Sequence, residues 1–333
     1  MTAATLRGLI TGFHSTSLIY VAAELGIADL LGSGPKSSAE LATHVSADPD
    51  ALHRLLRGLA QFGVLGMLED GRFELTDLGD ALRTDAPNSL LPVARLWGGP
   101  LVQRPFGGLL DAIRTGRPAF PQVFGKPLFD YLAEHPGEAA IFNQGMVGMT
   151  GQFVDSILSA YDFSGMRTLA DVGGGNGALI AAILRAHPYL RGNVADLPFV
   201  RQGAERAIAA AGLAERCRFV ACDFFEAVPE GADAYLLKSI LHDWEDAKSL
   251  AILRTCRRAV QPHGRLLVVE RLLPPGNQPA LDPVMKDIEM LVLLGSRERT
   301  EAEYCGLFEQ AGFRLVQATP LHGGTHLLEG VPT

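Results

Sequence analysis

The sequence predicts an α/β protein: a mostly helical, winged-helix-like N-terminal part followed by a C-terminal Rossmann-like domain. Three observations carry this. The first hundred residues show helical apolar spacing interrupted by one short hairpin pattern. Beyond Arg167, strands alternate with helices, the order that builds a parallel sheet covered on both faces. Where the first of those strands meets its helix stands the run Asp171-Val172-Gly173-Gly174-Gly175-Asn176-Gly177. The chain, at 333 residues, exceeds one comfortable core, and the texture divides it into residues 1–100, 101–160 and 161–333.

In the first segment, Phe13 to Leu31 carries Leu18, Val21, Ala22 and Leu25 at helical spacing and ends in Gly32-Ser33-Gly34-Pro35. Ser37 or Ser38 caps a short helix over Ala39 to His44, and Asp48-Pro49 opens another whose Leu52, Leu55, Leu56 and Leu59 share a face. A strand over Val64 to Leu68, the turn Glu69-Asp70-Gly71 and a return strand to Leu75 complete a wing. Such a module can read DNA. Here, however, residues 1–100 hold 7 Lys/Arg against 11 Asp/Glu, and the wing is mostly acidic. With a whole-chain net charge of −8, nucleic acid is not an expected partner. The expected role is dimerisation or a lid over a small-molecule site.

Other classes are excluded on composition. No apolar stretch reaches the ~20 residues that span a bilayer, and Met1 to Leu9 does not read as a signal peptide. Cys217, Cys222, Cys256 and Cys305 lack paired spacing, so the expectation is a cytoplasmic protein without disulfides or zinc.

Residues 101–160 read as helices with loop breaks, clearest over Leu128 to Leu132 and Ala139 to Leu158. The third segment offers strands at Thr168–Val172, 192–195, 218–221, 234–237 and 266–270, with helices over 178–186, 200–211 and 246–260. Phe313 to Thr319 and His326 to Gly330 suit a closing antiparallel pair.

The glycine run follows a buried strand at its carboxyl end, where open α/β sheets bind ligands. Gly173, Gly175 and Gly177 allow close backbone approach. The spacing Gly173-x-Gly175-x-x-Ala178 also satisfies the loose dinucleotide fingerprint, so NAD stays open on the glycines alone. Asp171 shifts the balance, because a carboxylate there repels a pyrophosphate and suits the cationic amino-acid end of S-adenosylmethionine. Asp196, closing the next strand, can accept from both ribose hydroxyls, and Asp223-Phe224 after the third can bracket an adenine.

The run Lys238-Ser239-Ile240-Leu241-His242-Asp243-Trp244 falls just past the fourth strand, on the same edge. A phenol, with a pKa of ~10, gains from a positioned base, and histidine can be one if its other nitrogen is held. Glu270 and Glu298 are candidate orienting carboxylates. Taken singly, His242 fits a core histidine equally well, and Glu298 fits a surface residue among arginines. No His/carboxylate cluster stands at metal-ligand spacing in the sequence, so no metal is expected.

These motifs, in this order and together with Gly264 to Glu270 and Glu298-Arg299-Thr300-Glu301, resemble the class II-like small-molecule O-methyltransferases, which include plant caffeate-type and bacterial polyketide-type enzymes. The resemblance covers nearly the whole chain. It implies a homodimer through the N-terminal domain and S-adenosylmethionine held by Asp171, Gly173, Gly175, Asp196, Asp223, Phe224 and Lys238. It further implies that His242 is the base, flanked by Glu270 and Glu298, acting on an aromatic secondary metabolite. Phe142, Met146, Asp243 and Met290 match acceptor-pocket positions, although Phe142, Met146 and Met290 suit core packing just as well. Ala195 and Cys222 depart from the plant pattern and point to a bacterial-type member. Relatives that keep the cofactor but hydroxylate or decarboxylate are the rival reading.

Overall fold

A computed structural model describes residues 2–276 and 278–333, with Gln152 described by its backbone alone. The chain forms two units: Met1–Arg104 with Pro136–Met149, and Pro105–His135 with Thr150–Thr333. The three consecutive segments read from the sequence thus become two interleaved ones. Residues 101–160 are divided between them, and the long helix Pro136–Ala160 begins in one unit and ends in the other.

In the first unit, the helix expected over 13–31 is two helices, Phe13–Glu24 and Ile27–Leu31. Gly26 adopts φ 64°, the left-handed conformation that ends a helix without a Cβ penalty. Ser37 caps helix Ser38–Val45 in a reciprocal box: its hydroxyl accepts from the Glu40 amide, and the Glu40 carboxylate accepts from the Ser37 amide at 2.7 Å. Asp48 caps helix Pro49–Gln61 by accepting from the Ala51 amide at 2.8 Å, with proline at the first helical position. Leu52, Leu56 and Leu59 bury one face of that helix against Leu41 and Phe73. Strands β1 (Leu65–Met67) and β2 (Phe73–Leu75) pair antiparallel, making the wing shorter than its sequence pattern.

The second unit is built on an eight-stranded sheet of β3 (Thr168–Val172), β4 (Arg191–Asp196), β5 (Cys217–Ala221), β6 (Ala234–Lys238), β7 (Arg265–Leu273), β8 (Arg299–Thr300), β9 (Phe313–Pro320) and β10 (Thr325–Pro332). Its order is β5-β4-β3-β6-β7-β10-β9, with β8 paired to β7. Neighbours from β5 to β7 run parallel, and β10 pairs antiparallel with both β7 and β9, the closing pair expected. Leu266, Leu267, Val268 and Val269 of β7 are fully buried, each worth about 1.5–3 kcal/mol by transfer from water. Helices Ala178–Ala186, Arg201–Ala210 and Asp246–Ala259 follow β3, β4 and β6. Helices Leu281–Leu293 and Glu301–Ala311 and strand β8 had no counterpart in the sequence reading.

The chain leaves β3 toward β4 on one side, and β6 lies on its other side. The order therefore reverses at β3, and the crevice outside its carboxyl end is where such a sheet takes a ligand. Among the described residues no helix is long and apolar enough to cross a membrane.

Candidate active site

The glycine run leaves β3 into that crevice. Gly173, Gly175 and Gly177 adopt φ of 70°, 57° and 78°, which side chains rarely tolerate. A Cβ on Gly173 would stand 2.4 Å from Ile240 Cδ1, whereas one on Gly175 would meet nothing within 4 Å. The loop is closed from β4: Asp196 Oδ2 accepts from the Gly175 amide at 2.7 Å and Oδ1 from the Leu197 amide at 2.6 Å. Each oxygen keeps a second lone pair for a ligand hydroxyl.

Asp171 is 3% exposed, and its Oδ2 has no hydrogen-bond partner among the described residues. Burial, reinforced by the Asp196 charge, pushes its pKa up to about 7. A buried, unpartnered carboxylate oxygen is costly unless a donor or cation meets it. The ammonium of an amino-acid moiety supplies both. Lys238, at the end of β6, is half-buried, and burial brings its ammonium down to about 8 against the pull of Glu270 and Asp171. Asp223 Oδ1 accepts from the Phe225 amide at 2.9 Å and so shapes the turn after β5. That turn sets Phe224 beside the loop, its ring 3.5 Å from where a Gly173 Cβ would lie. The orphaned carboxylate, the open loop and the aromatic wall together fit S-adenosylmethionine.

The second cluster lies beyond β6. Ser239 takes φ 54°, turning the chain sharply into the short turn Leu241–Asp243. Glu270 Oε1 gathers the turn's amides, accepting from Ile240 at 2.9 Å, Leu241 at 2.8 Å and His242 at 3.4 Å. Glu298 Oε1 accepts from His242 Nδ1 at 2.9 Å, and Glu270 Oε2 stands 3.4 Å from the same nitrogen. Asp243 Oδ1 lies 3.3 Å from His242 Nε2. Burial alone would lower the His242 pKa, but Glu270, Glu298 and Asp243 reverse this and raise it to about 10. Burial in turn raises Glu270, and lifts Asp243 to about 7 against the attraction of His242.

Several expectations are corrected here. Of the two readings open for Glu298, burial removes the surface one: it is 1% exposed, and its backbone amide donates to Asp287 Oδ1 at 2.9 Å. Glu270 does not end its strand, since β7 continues to Leu273, and it holds the backbone of the turn as much as the ring. Donor atoms of His242, Glu270 and Glu298 lie within 4.8 Å of one another, so folding creates a His/carboxylate cluster that spacing had not shown. Nδ1 and Glu298 are engaged with each other, and Glu270 Oε1 with amides.

Asp171, Gly173, Gly175, Asp196, Asp223, Phe224 and Lys238 come together along the carboxyl ends of β3 to β6, and His242, Asp243, Glu270 and Glu298 gather one turn further. Met290, 5% exposed, sits on helix Leu281–Leu293 in the same unit. Phe142 and Met146, half-buried, belong to the other unit. Asp243, expected against the acceptor, rests on the base itself. Sequence reasoning missed Asp287, Ser239 and Arg299. The only signal for Arg299 was its place next to Glu298.

An O-methyltransferase domain model matches residues 106–314, and an O-methyltransferase dimerisation domain model matches residues 8–85. The chain is 42% identical to a phenazine O-methyltransferase from Lysobacter antibioticus, over 98% of this chain and 95% of that protein. It is 41% identical to a 3-amino-4-hydroxybenzoate 4-O-methyltransferase from Streptomyces cremeus, over 96% and 87%. An aclacinomycin 10-hydroxylase from Streptomyces purpurascens is 38% identical, over 89% and 80%. Human N-acetylserotonin methyltransferase, solved with S-adenosylmethionine, superposes with a TM-score of 0.93 at 30% identity, over 100% of this chain and 98% of that one. The chain belongs to the O-methyltransferase family, as an enzyme that uses S-adenosylmethionine as its methyl donor.

Proposed function

We propose that the enzyme methylates a phenolic or enolic hydroxyl of an aromatic small molecule of secondary metabolism, with His242 receiving the hydroxyl proton. The observation that carries this reading is the buried His242–Glu298 hydrogen bond of 2.9 Å. It ties up Nδ1, fixes the ring and leaves Nε2 as the nitrogen that exchanges a proton. S-adenosylmethionine, when bound, supplies an electrophilic methyl group on a sulfonium. The chain does the rest. Asp171 meets the ammonium, Asp196 the ribose hydroxyls, Asp223 and Phe224 the adenine, and Lys238 adds a donor at the crevice. Gly173 and Gly175 give the backbone clearance.

The carboxylates around His242 stabilise the imidazolium that forms when the acceptor loses its proton. A pKa of about 10 matches that of a phenol, ~10, so transfer between them is close to thermoneutral. At neutral pH the resting imidazole already carries a proton. The productive complex, a phenolate beside imidazolium, therefore forms either from phenol with neutral His242 or from phenolate with the charged ring. Both routes contain the same protons. Asp243, resting on Nε2, gives way to the acceptor oxygen and keeps the charge balanced. Met290, buried on helix Leu281–Leu293, gives an apolar wall for the acceptor ring.

Two chains pair through the N-terminal region, where Leu6, Leu9, Ile10 and Phe13 are 57–67% exposed and the dimerisation model matches. Four thiols free of disulfides suit a reducing cytoplasm.

The test is methyl transfer from labelled S-adenosylmethionine to a panel of aromatic hydroxy compounds, read by product mass. Gain of one CH2 on at least one acceptor is expected. Cofactor binding without methyl transfer to any member, or gain of oxygen instead, would favour the chemistry named for the hydroxylase relative.

A further inference from the structure

The turn carrying His242 is held from two sides. On one, Glu270 Oε1 accepts from the amides entering it. On the other lies Arg299, fully buried although charged. Its Nη1 donates to the Leu241 carbonyl at 2.8 Å and its Nη2 to the Trp244 carbonyl at 2.7 Å. The guanidinium fork thus bridges the carbonyls that bracket His242 and Asp243. Nε and Nη2 also donate to Asp246 Oδ1 at 2.9 and 2.8 Å, and Ser249 Oγ donates to the same two carbonyls. A buried cation is costly unless its donors are met, and here the turn's own backbone meets them.

The register of β8 links both jobs. Arg299 stands opposite Leu272 of β7, two positions beyond Glu270. Glu298, just ahead of β8, reaches the imidazole, while Arg299, the first residue of β8, reaches the backbone beneath it. A lysine, with a point charge, cannot span two carbonyls as the planar fork does.

We propose that Arg299 is a positioning residue for His242: it fixes the turn Leu241–Trp244 so that Nδ1 stays on Glu298 and Nε2 faces the acceptor hydroxyl. The inference rests on the reading of His242 as base. It separates Arg299 from cofactor binding and from general stability.

The experiment compares the full-length enzyme with Arg299→Lys, His242→Ala and the double variant, in single-turnover methyl transfer and cofactor-binding calorimetry. Arg299→Lys is expected to lower kcat by about 10–100-fold, as a misplacement of about 1 Å does, with acceptor KM and cofactor Kd within about two-fold. In the His242→Ala background it should cost less than about two-fold more, because its effect passes through the missing ring. Guanidinium added at millimolar concentration should restore part of the turnover of Arg299→Ala, and sodium should not. Should Arg299→Ala not fold, Asp246→Asn, which loosens the fork from a half-exposed partner, should lower kcat several-fold with the same dependence on His242. Wild-type kcat in Arg299→Lys beside an inactive His242→Ala overturns this inference alone. Multiplicative losses in the double variant, or an equal loss of cofactor affinity, overturn it as well. Full turnover by His242→Ala overturns the base reading itself.

Discussion

The cofactor crevice and the His242 cluster are both built at the carboxyl edge of one sheet, yet they are assembled differently. The crevice is local: Asp171 to Gly177 is one continuous stretch, and Asp196 and Asp223 recur at successive strand ends. The cluster draws His242, Glu270 and Glu298 from three distant segments, and its electrostatics exist only once the chain has folded. On the proposed reading the first binds through backbone shape and one orphaned carboxylate. The second works through mutual charge, with three carboxylates raising a buried imidazole to about 10. Binding and proton handling should therefore separate cleanly under mutation.

The largest separation is expected from His242→Ala. Turnover on a high-pKa hydroxyl should fall by about 10²–10⁴-fold, with cofactor Kd near wild type by calorimetry. A parallel loss of cofactor affinity would break the division. Glu298→Gln should lower kcat by about 10–100-fold, because the amide cannot hold Nδ1 as an ion pair does, and again spare the cofactor. The reverse pattern is expected from Gly173→Ala. Its Cβ would approach Ile240 to 2.4 Å at a φ of 70°, so cofactor Kd should weaken on the order of ten-fold while the acceptor pKa dependence stays unchanged.

Acidity sharpens the contrast. Asp171 must ionise to hold a cationic group, and burial raises its pKa to about 7. Cofactor affinity should therefore rise as pH passes upward through about 7, and Asp171→Asn should flatten the profile at a weaker Kd. For His242 the sign is opposite and the readout is stability. Folding raises its pKa from 6.5 to about 10, so its contribution is complete below 6.5 and lost as pH rises through about 10. The denaturant midpoint of the wild type should fall across that window more steeply than that of His242→Gln.

How much of this the sequence revealed follows the same divide. Helix Ala178–Ala186 and strand Thr168–Val172 were legible because their signals lie within the segment itself. The placement of the crevice residues was legible because strand ends repeat. Gly26, which breaks the expected helix over 13–31, sits inside an apolar pattern that continues across it. Taken singly, Glu298 fits a surface residue because its neighbours are charged. Its partner His242, and the Asp246 side chain and the Leu241 and Trp244 carbonyls that meet the neighbouring Arg299, lie far away in sequence. The division of residues 101–160 between two units was invisible because a continuous helix carries no mark of where its packing partners change.

The central claim is that His242, held by Glu298, receives the acceptor's proton. Its most direct test is methyl transfer by wild type and His242→Ala across acceptors of one shape and graded hydroxyl pKa. The account predicts a deficit that is greatest for hydroxyls with a pKa near ~10 and shrinks for one already ionised at the assay pH, where only the pairing with the charged ring is lost. An equal deficit across the whole series would contradict it, and would leave His242 a structural part of the site.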